Sequence, residues 1–310
     1  MGQPAVTDQI AILGAGLIGC AWAALFMHHG SNVRIWDPSS DALGAVQERI
    51  KAPLAQLDEV APHTGSLGLL TICDDLGDAV TGATLIQENA PESVDIKHAL
   101  YRQVEPLMMA DAILASSTSA LTWSDLASGL TDPSRLVTAH PFNPPHLIPL
   151  VEIFGVDAGR IARAEAIYLA AGRIPVRLNK DATGHIANRL ASALWREAVY
   201  MVQEGIADVS AIDAALVNGP GLRWSVMGAH MAYHLGGGAD GMAGYLAHLG
   251  PSQERRWAAL GDPALTPEVQ AALIQGVEQA AAGRDIATLE ACRDRALISR
   301  LKARKDAPHL

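Results

Sequence analysis

Between Ile10 and Met27 the chain carries no charge, yet Gly14, Gly16 and Gly19 punctuate the run. A charge-free segment of that length imitates a membrane span. Glycines so spaced, behind Asp8 and with no basic residue ahead, fit neither a span nor a signal peptide. A buried strand over 9–13 turning into a tightly packed helix at Leu17 satisfies both features. Gly14 permits the tight turn, Gly16 lets backbone approach a pyrophosphate, and Gly19 lets helix and strand pack closely. The helix start at Leu17 and Ile18 offers free N–H groups to the phosphates. Asp37 closes the next apolar run 23 residues after Gly14 (37 − 14). An acid there hydrogen-bonds a ribose 2′-hydroxyl and repels a 2′-phosphate, so the expected cofactor is NAD rather than NADP.

The same alternation continues. Strands are expected over 9–13, 33–37, 85–88, 112–116, 136–139, 150–154 and 175–178, with helices such as 17–29, 94–105 and 158–171 between them. This pattern predicts an α/β fold, a Rossmann-type doubly wound parallel sheet. After Asn179-Lys180-Asp181 the pattern becomes helical: 183–204, 210–217, 223–235, 267–282 and 286–304. The breaks are Gly-rich, at 218–221, 236–238 and 249–251. Two domains are expected: a nucleotide-binding domain over 1–182 and an all-α domain over 183–310.

Composition narrows the partners. With 49% hydrophobic residues the chain can bury a core, and disorder is excluded. A net charge of −10 argues against nucleic acid and against an anionic membrane surface. Cys20, Cys73 and Cys292 lie far apart with no C-x-x-C, so neither a disulfide framework nor a metal site is expected and a reducing cytoplasm is the simplest setting.

Fold alone does not give a reaction. The densest polar cluster is Thr138-Ala139-His140-Pro141-Phe142-Asn143, followed by Glu152. A histidine at the end of a parallel strand faces the crevice of such a sheet, and imidazole suits taking a hydroxyl proton. A carboxylate on its second nitrogen fixes the tautomer, and Glu152 is the candidate.

Taken together these residues resemble the 3-hydroxyacyl-CoA dehydrogenase family across essentially the whole chain. That family pairs an NAD-binding Rossmann domain with a helical domain that dimerises, and its catalytic His precedes its Glu by twelve residues, as here (152 − 140). The resemblance makes His140, Glu152, Ser119 and Asn188 the catalytic set. Asn143 matches the first active-site Asn and Asn188, in Gly184-His185-Ile186-Ala187-Asn188, the second. Glu92 and Lys97 match the acid and lysine placed near the nicotinamide ribose; with Ser119 and Asn143 they extend the expected cofactor contacts. It also implies a homodimer joined through the second domain.

The segments Gly219-Pro220-Gly221-Leu222-Arg223-Trp224 and Tyr233-His234-Leu235 are similar to those of family members acting on small acids free of CoA. Residues 41–82 agree: Arg49 and Lys51 stand against seven acids, a poor cradle for a polyphosphate. The substrate so implied is L-carnitine, with L-gulonate or a 3-hydroxyacyl-CoA as rivals and a non-enzymatic, crystallin-like NAD binder as the alternative class. Aromatic faces bind trimethylammonium groups; Phe142 is the best placed, then Trp224 and Tyr233. Arg223 or Arg189 is the candidate partner for the substrate carboxylate.

Overall fold

The computed structural model describes residues 8–305, so the outer ends of both expected domains lie outside it. The chain opens with β1 (Gln9–Leu13), α1 (Leu17–His28) and β2 (Asn32–Trp36). Three short helical pieces follow, α2 (Ser40–Gly44), α3 (Val46–Arg49) and α4 (Lys51–Val60), then β3 (Leu70–Ile72). Next come α5 (Leu76–Val80), β4 (Leu85–Glu88), α6 (Val94–Val104), β5 (Ile113–Ser116), α7 (Trp123–Ala127) and β6 (Leu136–Pro141). β7 (Leu150–Gly155), α8 (Ala158–Ala170) and β8 (Ile174–Arg177) complete one eight-stranded sheet. Its order is β3-β2-β1-β4-β5-β6-β7-β8, so the winding reverses between β1 and β4, where such sheets open a crevice.

β1 is covered on both faces. Ile10 and Ile12 enter one core layer with Trp22, Phe26 and Tyr168, whereas Ala11 and Leu13 enter the other with Val80, Leu100 and Tyr101. This burial accounts for the charge-free run: α1 is enclosed nearly all round, its Trp22 ring 5.6 Å from Phe26 and 5.5 Å from Tyr168. Among the described residues no helix is long and apolar enough to cross a membrane.

The structure departs from the sequence expectation in several places. The sheet is not wholly parallel, because β7 runs antiparallel to β6 and β8 follows β7. Only residues 142–149, without a helix, join β6 to β7, and a parallel crossover needs a dozen residues or more. The three-residue edge strand β3 was not expected; its pattern is too short to show a period. The 223–235 segment is two helices, and 249–251 is not a break but lies inside a helix that contains Pro251. There Gly250 spares the proline a preceding side chain, and the exposed Ala247 can give water the carbonyl that Pro251 leaves unpaired.

The helical remainder comprises α9 (Ala187–Gln203), α10 (Val209–Asn218), α11 (Pro220–Trp224), α12 (Ala229–Gly236), α13 (Gly241–Ala258), α14 (Pro267–Ala281) and α15 (Ile286–Lys305). By packing, the first compact unit extends to Arg189 and takes in Leu297–Lys302; the second holds Leu190–Ala296. Residues 183–189 therefore pack with the sheet rather than with the helical unit expected from 183. The hydrogen bonds of Ile186 and Ala187 to Glu152 on β7 are the reason.

Candidate active site

The glycine loop is built for close approach. Gly14 has φ of +99°, and a Cβ there would stand 2.8 Å from the Asn89 carbonyl oxygen. At Gly19 a Cβ would fall 1.8 Å from the Gly14 oxygen, so helix and loop meet only through glycine. Gly16 is different, because a Cβ there would meet nothing within 4 Å. Its missing side chain serves no packing of the chain itself and leaves open space before the N-terminus of α1, where a pyrophosphate fits. A cavity of about 560 Å³ continues from Gly14 and Gly16 past Trp36, Asp37, Asn89 and Ile96. Asp37 shapes this wall: its Oδ2 accepts from Ala15 N–H at 2.7 Å and its Oδ1 from Ser39 N–H at 2.8 Å. Ile18 faces the second cavity of this unit, and Leu17 is exposed.

That second cavity, of about 250 Å³, is lined by Ile18, Ser117, Ser119, His140, Pro141, Phe142, Asn143 and Asn188. β6 carries His140 to its C-terminal end, and the antiparallel pairing sets Glu152 of β7 directly opposite. His140 Nδ1 and Glu152 Oε2 lie 2.9 Å apart, both buried. Glu152 Oε1 accepts from the N–H groups of Ile186 at 2.7 Å and Ala187 at 2.9 Å, at the start of α9. Burial alone raises the Glu152 carboxyl, but hydrogen bonds from His140, Ala187 and Ile186 outweigh it and hold the group below its ordinary value. An ionised carboxylate only accepts, so Nδ1 carries a proton, and it is Nε2 that offers the lone pair of the neutral ring. The Asn188 amide nitrogen lies 3.5 Å from that Nε2.

Glu92 and Lys97 have other tasks than lining this cavity. Glu92 Oε1 accepts from Thr118 Oγ1 and from the N–H groups of Ser119, Ala120 and Leu121 at 2.7–3.2 Å, which fixes the loop that presents Ser119. Burial raises the Glu92 carboxyl, yet these bonds and Lys97 bring it below its usual range. Lys97 is buried, donating to Glu88 Oε1 at 2.6 Å and the Ala90 carbonyl at 3.1 Å, and its Nζ lies 3.9 Å from Glu92 Oε2. Arg223 and Trp224 on α11 and Tyr233 on α12 belong to the second unit. Arg223 is exposed, Trp224 lines an apolar cavity of about 580 Å³ with Trp195, Met201 and Leu260, and Tyr233 packs 4.9 Å from Tyr245. Arg189 is exposed and outside the lining of the His140 cavity.

Sequence reasoning missed two residues. Glu88 lies wholly buried under the site and accepts from Lys97, Tyr101 and Ser116. His185 stacks on His140, with ring centroids 4.7 Å apart and planes within 19°. Its Nε2 lies 3.1 Å from the Thr118 carbonyl oxygen and its φ is 49°, the left-handed region that a non-glycine residue enters at a cost. Burial and the neighbouring His140 push its basicity down. No spacing rule marks such a histidine, since its partner is 45 residues away (185 − 140) and the contact is ring on ring.

Comparison with known proteins accords with this geometry. The 3-hydroxyacyl-CoA dehydrogenase NAD binding domain matches residues 9–182, and the C-terminal domain of the same enzymes matches residues 184–270. The chain belongs to the 3-hydroxyacyl-CoA dehydrogenase family. As a member it is an NAD-dependent dehydrogenase. It is similar to the L-carnitine dehydrogenase of Streptomyces coelicolor, 41% identical over 307 residues, which span 98% of this chain and 96% of that one. The L-carnitine dehydrogenase of Pseudomonas putida is 38% identical over 98% of this chain and 97% of its own. Among solved structures the fold is similar to that of 5-formyl-3-hydroxy-2-methylpyridine 4-carboxylic acid 5-dehydrogenase, an NAD+-dependent dismutase. That likeness has a TM-score of 0.82 and 28% identity, over 98% of this chain and 100% of that chain.

Proposed function

We propose that this dehydrogenase oxidises the 3-hydroxyl of L-carnitine to the ketone. The carrying observation is the buried His140–Glu152 pair on a cavity of about 250 Å³, in a chain about 40% identical end to end to L-carnitine dehydrogenases. Bound NAD supplies the hydride acceptor. Glu152 holds the His140 ring with its Nε2 lone pair toward the cavity, and Nε2 takes the hydroxyl proton. As the imidazolium forms, the Glu152 carboxylate 2.9 Å away offsets its charge. Ser119, Asn143 and Asn188 are the polar groups available to the substrate oxygens, and Phe142, its ring 6.0 Å from His140, is the face available to a quaternary ammonium.

The rival with CoA attached is disfavoured by the arm after β2. Its two basic residues are engaged, Arg49 with the Ala15 carbonyl oxygen and Lys51 with Glu48. For assembly we propose a homodimer through the second unit, where Leu190, Trp195, Ile206, Leu222 and Trp224 are exposed; light scattering at micromolar concentration tests it. The function is tested by NAD reduction with L-carnitine, D-carnitine, L-gulonate, 3-hydroxybutyrate and 3-hydroxybutyryl-CoA. L-carnitine is expected to be the preferred substrate. Turnover of gulonate or the CoA ester alone overturns the substrate, and NAD binding without turnover of any of them overturns the 3-hydroxy acid reading.

A further inference from the structure

The end of α1 opposite the glycine loop carries a side-chain cluster that the dehydrogenase chemistry does not use. His28 is the last residue of α1, Asp58 lies in the last turn of α4, and His63 follows on the loop that leaves it. Asp58 Oδ1 is met by His28 Nε2 at 3.2 Å and by His63 Nδ1 at 2.9 Å. The two rings approach edge to face, with centroids 5.8 Å apart. All three ligand atoms lie within 4.8 Å of one another. The loop is fastened beyond His63 as well, where Gly68 N–H donates to the Met27 carbonyl oxygen at 2.8 Å.

We propose that His28, Asp58 and His63 form a binding site for a borderline transition-metal dication such as Zn²⁺, with the remaining coordination positions open to water. Around an ion with bonds of about 2.0–2.1 Å, neighbouring ligand atoms stand about 3.0–3.4 Å apart. The two nitrogen-to-oxygen separations here, 2.9 and 3.2 Å, already approximate that spacing, and the two nitrogens lie within 4.8 Å of each other. Two imidazoles and one carboxylate suit zinc, nickel or cobalt and not magnesium or calcium, which take oxygen. His28 is buried and cannot swing away, whereas His63 and Asp58 are exposed and give the ion a path in. His28 Nδ1 has no hydrogen-bond partner, so the support that tightens most metal-bound histidines is missing and micromolar affinity is expected. Bound metal would clasp the 61–69 loop to the ends of α1 and α4, away from the glycine loop.

Titration calorimetry of chelator-treated full-length protein with ZnCl₂ at pH 7.5 tests this. About one equivalent is expected to bind with micromolar Kd and to raise the unfolding temperature, while MgCl₂ does neither. His63→Ala and Asp58→Asn, both at exposed positions, are each expected to weaken zinc binding about tenfold or more while the metal-free unfolding temperature stays close to that of the parent. His140→Asn is expected to bind zinc as the parent does. Absence of zinc-dependent heat and stabilisation overturns the proposal. Affinity unchanged in both the His63 and the Asp58 variants, or lost in His140→Asn, overturns it too, because the metal then sits elsewhere.

Discussion

Glu152 stands across the β6–β7 ladder from His140 and divides its two oxygens, one to the His140 ring at 2.9 Å and the other to the backbone at the start of α9. One carboxylate thus ties the candidate base to the segment that carries Asn188. Replacing His140 with Asn is expected to lower kcat by about 10²–10⁴ and leave NAD affinity nearly unchanged. Glu152→Gln should slow turnover as well, since an amide cannot accept at both ends: one of its faces would turn an N–H toward either the His140 ring or the backbone donors. Steady-state kinetics with binding titrations check both, and wild-type kcat in His140→Asn would give the base role to another group.

The spacing of His140 and Glu152 is legible in the sequence, and so is every long element of the sheet. What it hides is direction. Residues 142–149 look like any loop until one asks whether they are long enough to cross a sheet, and they are not. The β3 strand is hidden because three residues at an edge carry too little pattern. The burial of Lys97 is hidden for another reason: only the buried Glu88 beside it accounts for a lysine that points inward. His185 is hidden because stacking of rings leaves no periodic trace, and the His28, Asp58 and His63 cluster because His28 comes from α1, 30 residues before Asp58.

Asp37 makes the cofactor prediction. Its carboxylate, fixed by Ala15 and Ser39 N–H, borders the cavity that starts at the glycine loop. A 2′-phosphate there would face a like charge, so kcat/KM should favour NAD over NADP. Asp37→Ala is expected to narrow that preference chiefly through the KM for NAD. Equal efficiency of the parent with both cofactors would remove the role given to Asp37.

Two buried groups of the site contribute to the acid side of stability. His185, ordinarily near 6.5, is depressed by burial and by His140, so below pH 6.5 the unfolded chain binds the proton more readily than the folded one. Stability therefore falls as pH drops below about 6.5, until the folded imidazole protonates as well. Glu152, ordinarily near 4.5, is also depressed, and its contribution is lost as pH falls from 4.5 through its folded value. Urea unfolding between pH 8 and 4 checks the sequence of losses. His185→Phe keeps a ring to stack on His140 and removes the first loss, so its stability should be flatter between pH 7 and 5.

Phe142 carries the substrate prediction. The lining of the His140 cavity holds no guanidinium or ammonium group, and Phe142 supplies its one phenyl face. A ring attracts a desolvated quaternary ammonium by ~2 kcal/mol, whereas an aliphatic side chain of similar bulk has no quadrupole to offer. Phe142→Leu is therefore expected to raise the KM for L-carnitine about tenfold or more, with kcat less affected because the reacting carbon lies away from the ammonium. An uncharged analogue of the same bulk should show little change. The sugar-acid alternative predicts the opposite contrast, since L-gulonate needs hydroxyl partners and gains nothing from a ring face. If Phe142→Leu leaves the KM for L-carnitine unchanged while wild-type activity on it is high, the ammonium is held by other residues and Phe142 serves only to wall the cavity beside His140.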